Sequence, residues 1–211
     1  MFRVATIALV LWAGLLFVST GKAQEQAGPQ QLVQQTTDQV LDILSKRRKE
    51  LEKDHKLIYE LTNEIVVPHF DFVSISKFVL ARYWRKASKE QKLRFIRAFR
   101  ELMVKTYAIA ILEYNDNKIE YLPLRDDVTN GDVTVRTEFH QPGKPPVAIN
   151  YSLHQRKTGW KVYDISVDGV SIVTTFRTSF GTEIKQSSLD AVIERIEKKN
   201  NEKNINKKAT S

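Results

Sequence analysis

The chain of 211 residues contains no cysteine, which rules out disulfide bonds, thiolate metal sites and lipid attachment through a cysteine. Its 8 glycines and 6 prolines form neither a Gly-rich phosphate loop nor a Gly-x-Ser-x-Gly nucleophile motif. The four histidines, His55, His69, His140 and His154, do not follow the spacing of metal ligands. The sequence therefore predicts no metal site and offers few candidates for catalysis.

The sequence also lacks a concentration of positive charge in its central part. The net charge is +8, but Arg3 and Lys22 contribute +2 within the first 23 residues, and the segment from Glu197 onward contributes another +3. The +3 that is left for the body is weak evidence for a nucleic-acid surface. We therefore predict that nucleic acid is not a partner.

A secretion signal is predicted over residues 1–23. Arg3 supplies the positive charge, residues 4–18 form an apolar run, and Gly21 and Ala23 have the small-residue spacing of a cleavage site. The alternative is a membrane anchor, but the apolar run is short for a membrane span and its flanks are polar. We therefore expect an exported protein that is cleaved after this signal.

The rest of the chain is predicted to form one domain, residues 24–198, followed by a disordered basic tail, residues 199–211. Apolar residues recur every three or four positions over residues 32–114, which predicts helices. Ser88 and Gln91 have capping-box spacing at the start of the longest helix. The tail is rich in Lys and Asn and has too few apolar residues to pack.

The period changes to two at about residue 118, which predicts strands. Three segments alternate apolar and polar residues, and a fourth strand ends at an Asp168-Gly169 turn. Ser171 is positioned to cap the helix that follows. The apolar alternation slips in the fourth strand, which indicates a bulge near Tyr163 and Asp164 or a strand buried on both faces.

Helices, four strands and helices again predict an α+β fold, with a helical layer packed on one face of a twisted four-stranded antiparallel sheet. Thr134 and Arg136 are among the polar residues of the opposite, wet face. A strongly bent sheet covered by helices makes a cone, and such cones often contain a cavity. Phe95 and Phe99 belong to an aromatic stripe on the longest helix that fits either a cavity wall or a filled core, and periodicity alone favours the core.

Two acidic residues are candidates for chemistry. Asp164 lies in an otherwise apolar strand, where it could act as a general base, but a structural pairing with Arg177 or Arg82 is favoured. Asp71 lies between two phenylalanines and is expected to cap the helix that begins near Val73. The structural role is favoured at both positions.

Two stretches of the sequence resemble the MlaC (toluene-tolerance) family. The first is Pro68-His69-Phe70-Asp71-Phe72 followed by Leu80-Ala81-Arg82-Tyr83-Trp84-Arg85-Lys86-Ala87-Ser88-Lys89-Glu90-Gln91, and the second is Trp160-Lys161-Val162-Tyr163-Asp164 followed by Gly169-Val170-Ser171-Ile172, Arg177 and Phe180. The resemblance covers nearly the whole predicted mature chain in the same order and spacing. One departure is Ala81, where the family usually has Gly.

This resemblance implies a cone-like, NTF2-like protein without catalytic activity or cofactor, which carries phospholipid as cargo in an apolar cavity. It implies a periplasmic location and a role in shuttling lipid between the inner and outer membranes to maintain outer-membrane lipid asymmetry. Its implied partners are an inner-membrane ABC transporter with an MCE-domain subunit and an outer-membrane lipoprotein–porin complex. We expect the chain to be a monomer.

The expected lipid-contacting residues are apolar or aromatic positions on the longest helix, the sheet and the helix after it. They are Tyr83, Trp84, Phe95, Phe99, Leu102, Met103, Tyr107, Val135, Val147, Ile149, Tyr151, Val162, Val170, Val173 and Phe176. Two other functions stay open as alternatives. One is a small enzyme of the same shape that acts on an apolar substrate with Asp164 as base, and the other is a structural envelope protein with a filled core.

Overall fold

The computed structural model describes residues 27–114 and 118–208. Seven α-helices and five β-strands are seen in this part of the chain. The helices are α1 (Pro29–Lys53), α2 (His55–Leu61), α3 (Phe72–Leu80), α4 (Arg82–Lys86), α5 (Lys89–Tyr107), α6 (Ile172–Gln186) and α7 (Leu189–Lys208). The strands are β1 (Lys118–Tyr121), β2 (Asp132–His140), β3 (Val147–Arg156), β4 (Gly159–Val167) and β5 (Val170–Ser171).

The helix starts follow the predicted capping residues. The Asp71 side chain accepts a hydrogen bond from the Ser74 backbone N–H at 2.9 Å and so caps α3. Ser88 and Gln91 form the full capping box of α5. The Ser171 hydroxyl accepts from the Thr174 N–H at 3.0 Å at the start of α6. All three predictions are confirmed.

The sheet is an antiparallel meander in the order β1-β2-β3-β4-β5. The prediction of four strands was wrong because β5 has only two residues, which pair with Ser166 and Val167 at the end of β4. Asp168 and Gly169 connect the two strands, and both have positive φ angles, 47° and 80°. Such angles suit a two-residue hairpin, so the turn that was expected to lead into the helix first closes a short hairpin. The NTF2-like label stays a prediction.

A bulge in β4 confirms the slip that the sequence indicated. Ser152 pairs with Asp164, whereas the next residue, Leu153, pairs with Val162, so Tyr163 is the extra residue. Because one residue is inserted, apolar side chains before and after the bulge can point to the same face despite their different parity. One face of the sheet therefore stays apolar along its whole length.

Helices meet the sheet at its edge as well as over its apolar face. Phe70 forms an isolated parallel bridge with Val162, and the Asp71 N–H donates to the Val162 carbonyl at 2.9 Å, so the chain before α3 lies along the free edge of β4. His154 alternates with Leu153 and points to the second face, where it contacts Asp71. The helical part therefore contacts the edge and the second face of the sheet as well as its apolar face, whereas only one face was predicted to be covered.

The buried apolar residues form three clusters. The first joins α3, α5, α6 and α7 around Phe95, Phe99 and Phe180. The second joins α1, α2 and the end of α5. The third places Val33 of α1 against the apolar face of the sheet, and the half-buried Phe70 packs against both the first and the third clusters. The core is therefore divided and not continuous.

The last helix continues past residue 198, where the sequence predicted the disordered tail to begin. Helix α7 continues to Lys208, and the buried Asn200 side chain donates to the Ala98 carbonyl at 2.9 Å. The Lys105 ammonium in turn donates to the Asn200 carbonyl at 2.7 Å. Composition suggested disorder, but these long-range hydrogen bonds hold the helix against α5. Residues 209–211 lie outside the described residues.

Candidate functional site

The candidate site is built on the apolar face of the sheet, called here the inner face. The strand register places the inner-face residues opposite one another: Val133 with Leu153, Val135 with Tyr151, Thr137 with Ile149, and Phe139 with Val147. In β4, Ile165 pairs with Tyr151 and Val167 with Ile149. Alternation along each strand thus yields one continuous apolar surface, with Thr137 as a polar member.

One end of the inner face is closed by packing. This closed end consists of Val133, Val135, Leu153, Trp160 and Val162, which are all buried against one another and Val33. Val135 and Leu153 are 0% exposed. At this end the side chains of the sheet and Val33 are packed closely against one another, as in a protein core.

The other end of the inner face is open. This open end consists of Phe139, Val147, Ile149, Val167 and Val170, none of which is among the buried core residues. Val167 is 39% exposed and Val170 is 63% exposed. Since apolar surface next to a packed core is costly to leave in water, this end is a candidate surface for an apolar ligand.

Tyr151 marks the boundary between the two ends. Burial raises the pKa of Tyr151 to about 12, with a smaller contribution from Tyr121. Its phenol is therefore neutral at physiological pH, as expected for an apolar surrounding. Beyond it, the Tyr114 ring lies 6.1 Å from the ring of Phe139, centroid to centroid, and is the aromatic side chain from the helical part that contacts the open end.

The fifteen sequence-predicted site residues fall into three groups. Val135, Val147, Ile149, Tyr151, Val162 and Val170 share the inner face, as their alternation indicated. Tyr83, Trp84, Phe95, Phe99, Leu102, Met103, Val173 and Phe176 belong to the helical cluster of α3, α5, α6 and α7. Tyr107 is 42% exposed at the end of α5. Their contact with lipid stays a prediction.

The helical group packs mainly against itself. The Phe99 ring lies 5.4 Å from Phe95 and 5.0 Å from Phe176, and both Phe95 and Phe99 are 0% exposed. Their surfaces are already covered by protein side chains. Conversely, Phe139 and Val167 lie at the open end but were not among the predicted site residues, although the strand pairing with Val147 and Ile149 could have placed them there.

A polar network next to the closed end contains Asp, His and Ser, as many catalytic sites do. Its hydrogen bonds differ from those of such a site. Asp71 Oδ2 accepts hydrogen bonds from the Ser74 hydroxyl at 2.9 Å and from Arg156 Nε at 3.0 Å, and it lies 3.0 Å from His154 Nε2. The Ser74 hydroxyl also accepts from Arg156 at 2.8 Å, and His154 contacts the carboxylate and not the hydroxyl, so these residues do not form the hydroxyl–imidazole pair of a nucleophilic site. The network fastens α3 to β3.

The ionisation of Asp71 agrees with this structural role. Burial opposes the ionised form, but hydrogen bonds from Ser74 and Arg156 outweigh it and lower the pKa of the Asp71 carboxyl. A general base would need a pKa near the working pH. Asp71 is instead an anion that holds its neighbours in place.

Asp164 also makes structural contacts, but the prediction that it pairs with Arg177 or Arg82 was wrong. Its Oδ2 accepts from the Ser171 hydroxyl at 2.5 Å, and its Oδ1 accepts from the Val173 N–H at 3.1 Å. Arg177 and Arg82, the predicted partners, are instead found at a cleft beside α6. Asp164 therefore supports the start of α6, where unpaired backbone N–H groups favour a carboxylate.

Two open clefts flank α6. One of about 640 Å³ lies between the α3–α4 corner and α6, and one of about 630 Å³ lies between β5 and α6. Neither is lined by residues of β2 or β3, so neither is the predicted cavity between helices and sheet. That cavity stays a prediction.

Within residues 27–114 and 118–208, His, Asp and Glu side chains do not gather in a group of three that could hold a metal ion. No helix in the same ranges is both long and apolar enough to cross a membrane. Residues 1–23, the predicted secretion signal, lie outside the described residues.

Sites for small ligands are lined mostly by hydrophobic and aromatic side chains, and the open end of the inner face has such a lining. The family model of the MlaC protein matches residues 34–198. This chain belongs to the MlaC family, as the resemblance in its sequence suggested.

Named relatives agree with this assignment. The toluene tolerance protein ttg2D of Pseudomonas putida is 30% identical over 164 residues, which are 77% of this chain and 75% of the relative. The intermembrane phospholipid transport system binding protein MlaC of Haemophilus influenzae is 23% identical over 184 residues, 86% of each chain. Both names support the relation, and the second relative is a phospholipid transport protein.

A solved structure is also similar. The phospholipid-binding protein from Ralstonia solanacearum, in complex with a phospholipid, has a TM-score of 0.76 and 26% sequence identity. The match covers 83% of this chain and 98% of that protein. The α+β fold with an antiparallel sheet is therefore one in which a relative holds a phospholipid.

Proposed function

We propose that this protein is a periplasmic phospholipid carrier that binds the acyl chains of one lipid against the open end of the inner face. The observation that carries the proposal is the change from full burial at Leu153 to 39% exposure at Val167 on one continuous apolar surface. The phospholipid bound to the Ralstonia solanacearum relative supports the choice of ligand. In this role the protein moves lipid between the inner and outer membranes and maintains outer-membrane lipid asymmetry.

The energetics of such a carrier require membrane partners. Burying two acyl chains of about 30 methylenes gains roughly 24 kcal/mol relative to water, at about 0.8 kcal/mol each. Relative to a bilayer the gain is near zero, because the chains leave one hydrocarbon environment for another. The protein thus keeps the lipid soluble but does not extract it alone. We propose an inner-membrane ABC transporter with an MCE-domain subunit and an outer-membrane lipoprotein–porin complex as the two partners with which it exchanges lipid.

A pair of tryptophan substitutions tests where the lipid binds. Ile149 and Asn150 are neighbours in β3, but alternation places Ile149 on the inner face and Asn150 on the other. Ile149→Trp fills the open end and should reduce the phospholipid that copurifies at least fivefold. Asn150→Trp adds the same bulk to the opposite face and should leave the lipid content unchanged. Mass spectrometry of organic extracts of the purified protein measures both.

The same measurement can refute the proposal. Wild-type protein that is purified gently and contains no diacyl phospholipid would contradict the carrier function. Full lipid content in a folded Ile149→Trp variant would show that the acyl chains bind elsewhere. A similar loss in both variants would indicate an indirect effect through folding, which circular dichroism of each variant would reveal.

A further inference from the structure

The larger of the two clefts beside α6 has the chemistry of an anion site. Its walls are the α3–α4 corner, with Ala81, Arg82 and Tyr83, and one side of α6, which contributes Arg177 and Lys185 among others. Three cationic side chains from two separate elements therefore line one cleft of about 640 Å³. That volume suits a small organic ligand.

Negative charge does not offset these cations within the cleft. Aspartate and glutamate are absent among its lining residues, and Arg82, Arg177 and Lys185 form no ion pair with any residue of the described ranges. Glu183, the acidic residue of α6, is held away from it by a bidentate pair with Arg195 at 2.5 and 2.7 Å. The electrostatic potential in the cleft is thus positive, which favours an anionic ligand.

The backbone at the cleft is strained in a way that positions one of the cations. Ala81 has φ 47° and ψ −116°, a backbone conformation that residues other than glycine rarely adopt. The next residue, Arg82, donates to the Tyr83 hydroxyl at 2.9 Å, and this hydroxyl donates to the Gly181 carbonyl at 3.3 Å. Strain of this kind is typically retained where a function needs the geometry.

Gly181 leaves the cleft open. A Cβ atom added at Gly181 would meet no atom within 4 Å, and Gly181 lines the cleft between the arginine and the lysine of α6. Thr178 borders both clefts, and the second cleft extends to Val170 of the open end.

We propose that this cleft binds a phosphate ester through Arg82, Arg177 and Lys185. Arginine forks match phosphate oxygens, and several cations favour a phosphate over a singly charged group. The phosphate could belong to the headgroup of a carried lipid, which rests on the proposed function, or to a free water-soluble ester, which does not. The cleft would bind the phosphate group in the same way from either source, and an experiment can distinguish the two sources.

The test uses sn-glycerol 3-phosphate as probe and isothermal titration calorimetry on the delipidated mature protein. Wild-type protein should bind one equivalent saturably. The double variant Arg177→Gln/Lys185→Gln should weaken binding at least tenfold. The control Arg97→Gln/Arg100→Gln removes the same charge from exposed positions of α5 and should bind like wild type.

A second variant tests the space instead of the charge. Gly181→Leu keeps all three cations and favours helix, but its side chain enters the cleft, so it should also weaken binding at least tenfold. Absence of saturable binding by delipidated wild-type protein would overturn the proposal. Equal weakening in the two charge variants, or unchanged binding by folded Gly181→Leu, would overturn it as well.

Delipidated and lipid-loaded protein then distinguish the source of the phosphate. If the headgroup occupies the cleft, loaded protein should fail to bind the probe, and the charge variant should copurify with less anionic phospholipid at unchanged total lipid. Equal binding by both forms would support a site for a free phosphate ester. Total lipid content reports on the proposed carrier function separately, so failure of one proposal does not imply failure of the other.

Discussion

The closed and open ends of the inner face have the same kind of residues but different surroundings. Leu153 and Ile149 lie on the same strand and face, four positions apart, yet Leu153 is completely buried and Ile149 is only partly covered. The difference comes from the elements that cover each end, since Val33 of α1 packs on the closed end. The apolar residues of the strands therefore form the inner face. Packing against distant segments such as α1 determines which part of that face is available to a ligand.

The largest expected effect is a difference in stability between the two ends. Leu153→Ala leaves a cavity in a packed region and should lower the free energy of unfolding by about 2–5 kcal/mol. Ile149→Ala removes a similar side chain from the open end and should lower it by less than about 1 kcal/mol in lipid-free protein. Urea unfolding of both delipidated variants measures this. Equal losses would break the distinction between the ends.

A smaller effect is expected from the network that fastens the closed end. Asp71→Asn weakens charge-assisted hydrogen bonds to Ser74 and Arg156 and should cost about 1.5–3 kcal/mol at pH 7. Because the pKa of Asp71 is lowered in the folded state, its stabilisation is present above the unfolded pKa of about 4 and is lost as the pH falls through the folded pKa.

Urea unfolding at pH 7 and pH 3 checks the sign of this effect. The difference between wild type and Asp71→Asn should shrink at pH 3. Asp127→Asn serves as a control, since the fully exposed Asp127 caps only a short turn at Thr129 and should change stability much less. A difference that grows on acidification would contradict the role of the ionised carboxylate.

The smallest expected effect concerns Asp164, next to the open end. Asp164→Asn retains one acceptor for Ser171 or the Val173 N–H and should cost about 0.5–1.5 kcal/mol. The lipid that copurifies should be unchanged. Loss of transport in a folded, fully loaded Asp164→Asn variant would instead favour a chemical role for this carboxylate, and hence the enzyme alternative.

Local features of this protein could be predicted from the sequence because neighbouring residues determine them. The caps at Asp71, Ser88 and Ser171 depend on short-range hydrogen bonds, and the bulge at Tyr163 follows from a slip in alternation. The inner-face positions were predictable for the same reason, because strand alternation is local.

Features that depend on contacts between distant segments were not predictable. The two-residue strand β5 is too short to have a period, and the ordered start of the tail depends on Asn200 reaching Ala98 on another helix. The partners of Asp164 and the division of the core into three clusters likewise arise from tertiary packing. Residue type alone could not show that Phe99 is covered by other phenylalanines while Val167 is exposed.

The lengths of the outer strands limit how readily two molecules can pair through the edges of the sheet. The three central strands have 9 or 10 residues, whereas β1 has 4 and β5 has 2, and Phe70 and Asp71 cover part of the remaining edge of β4. Unpaired strand edges are the usual templates for intermolecular β-pairing and aggregation. Because both edges are short or covered, two copies of this protein that meet cannot readily join their sheets into one.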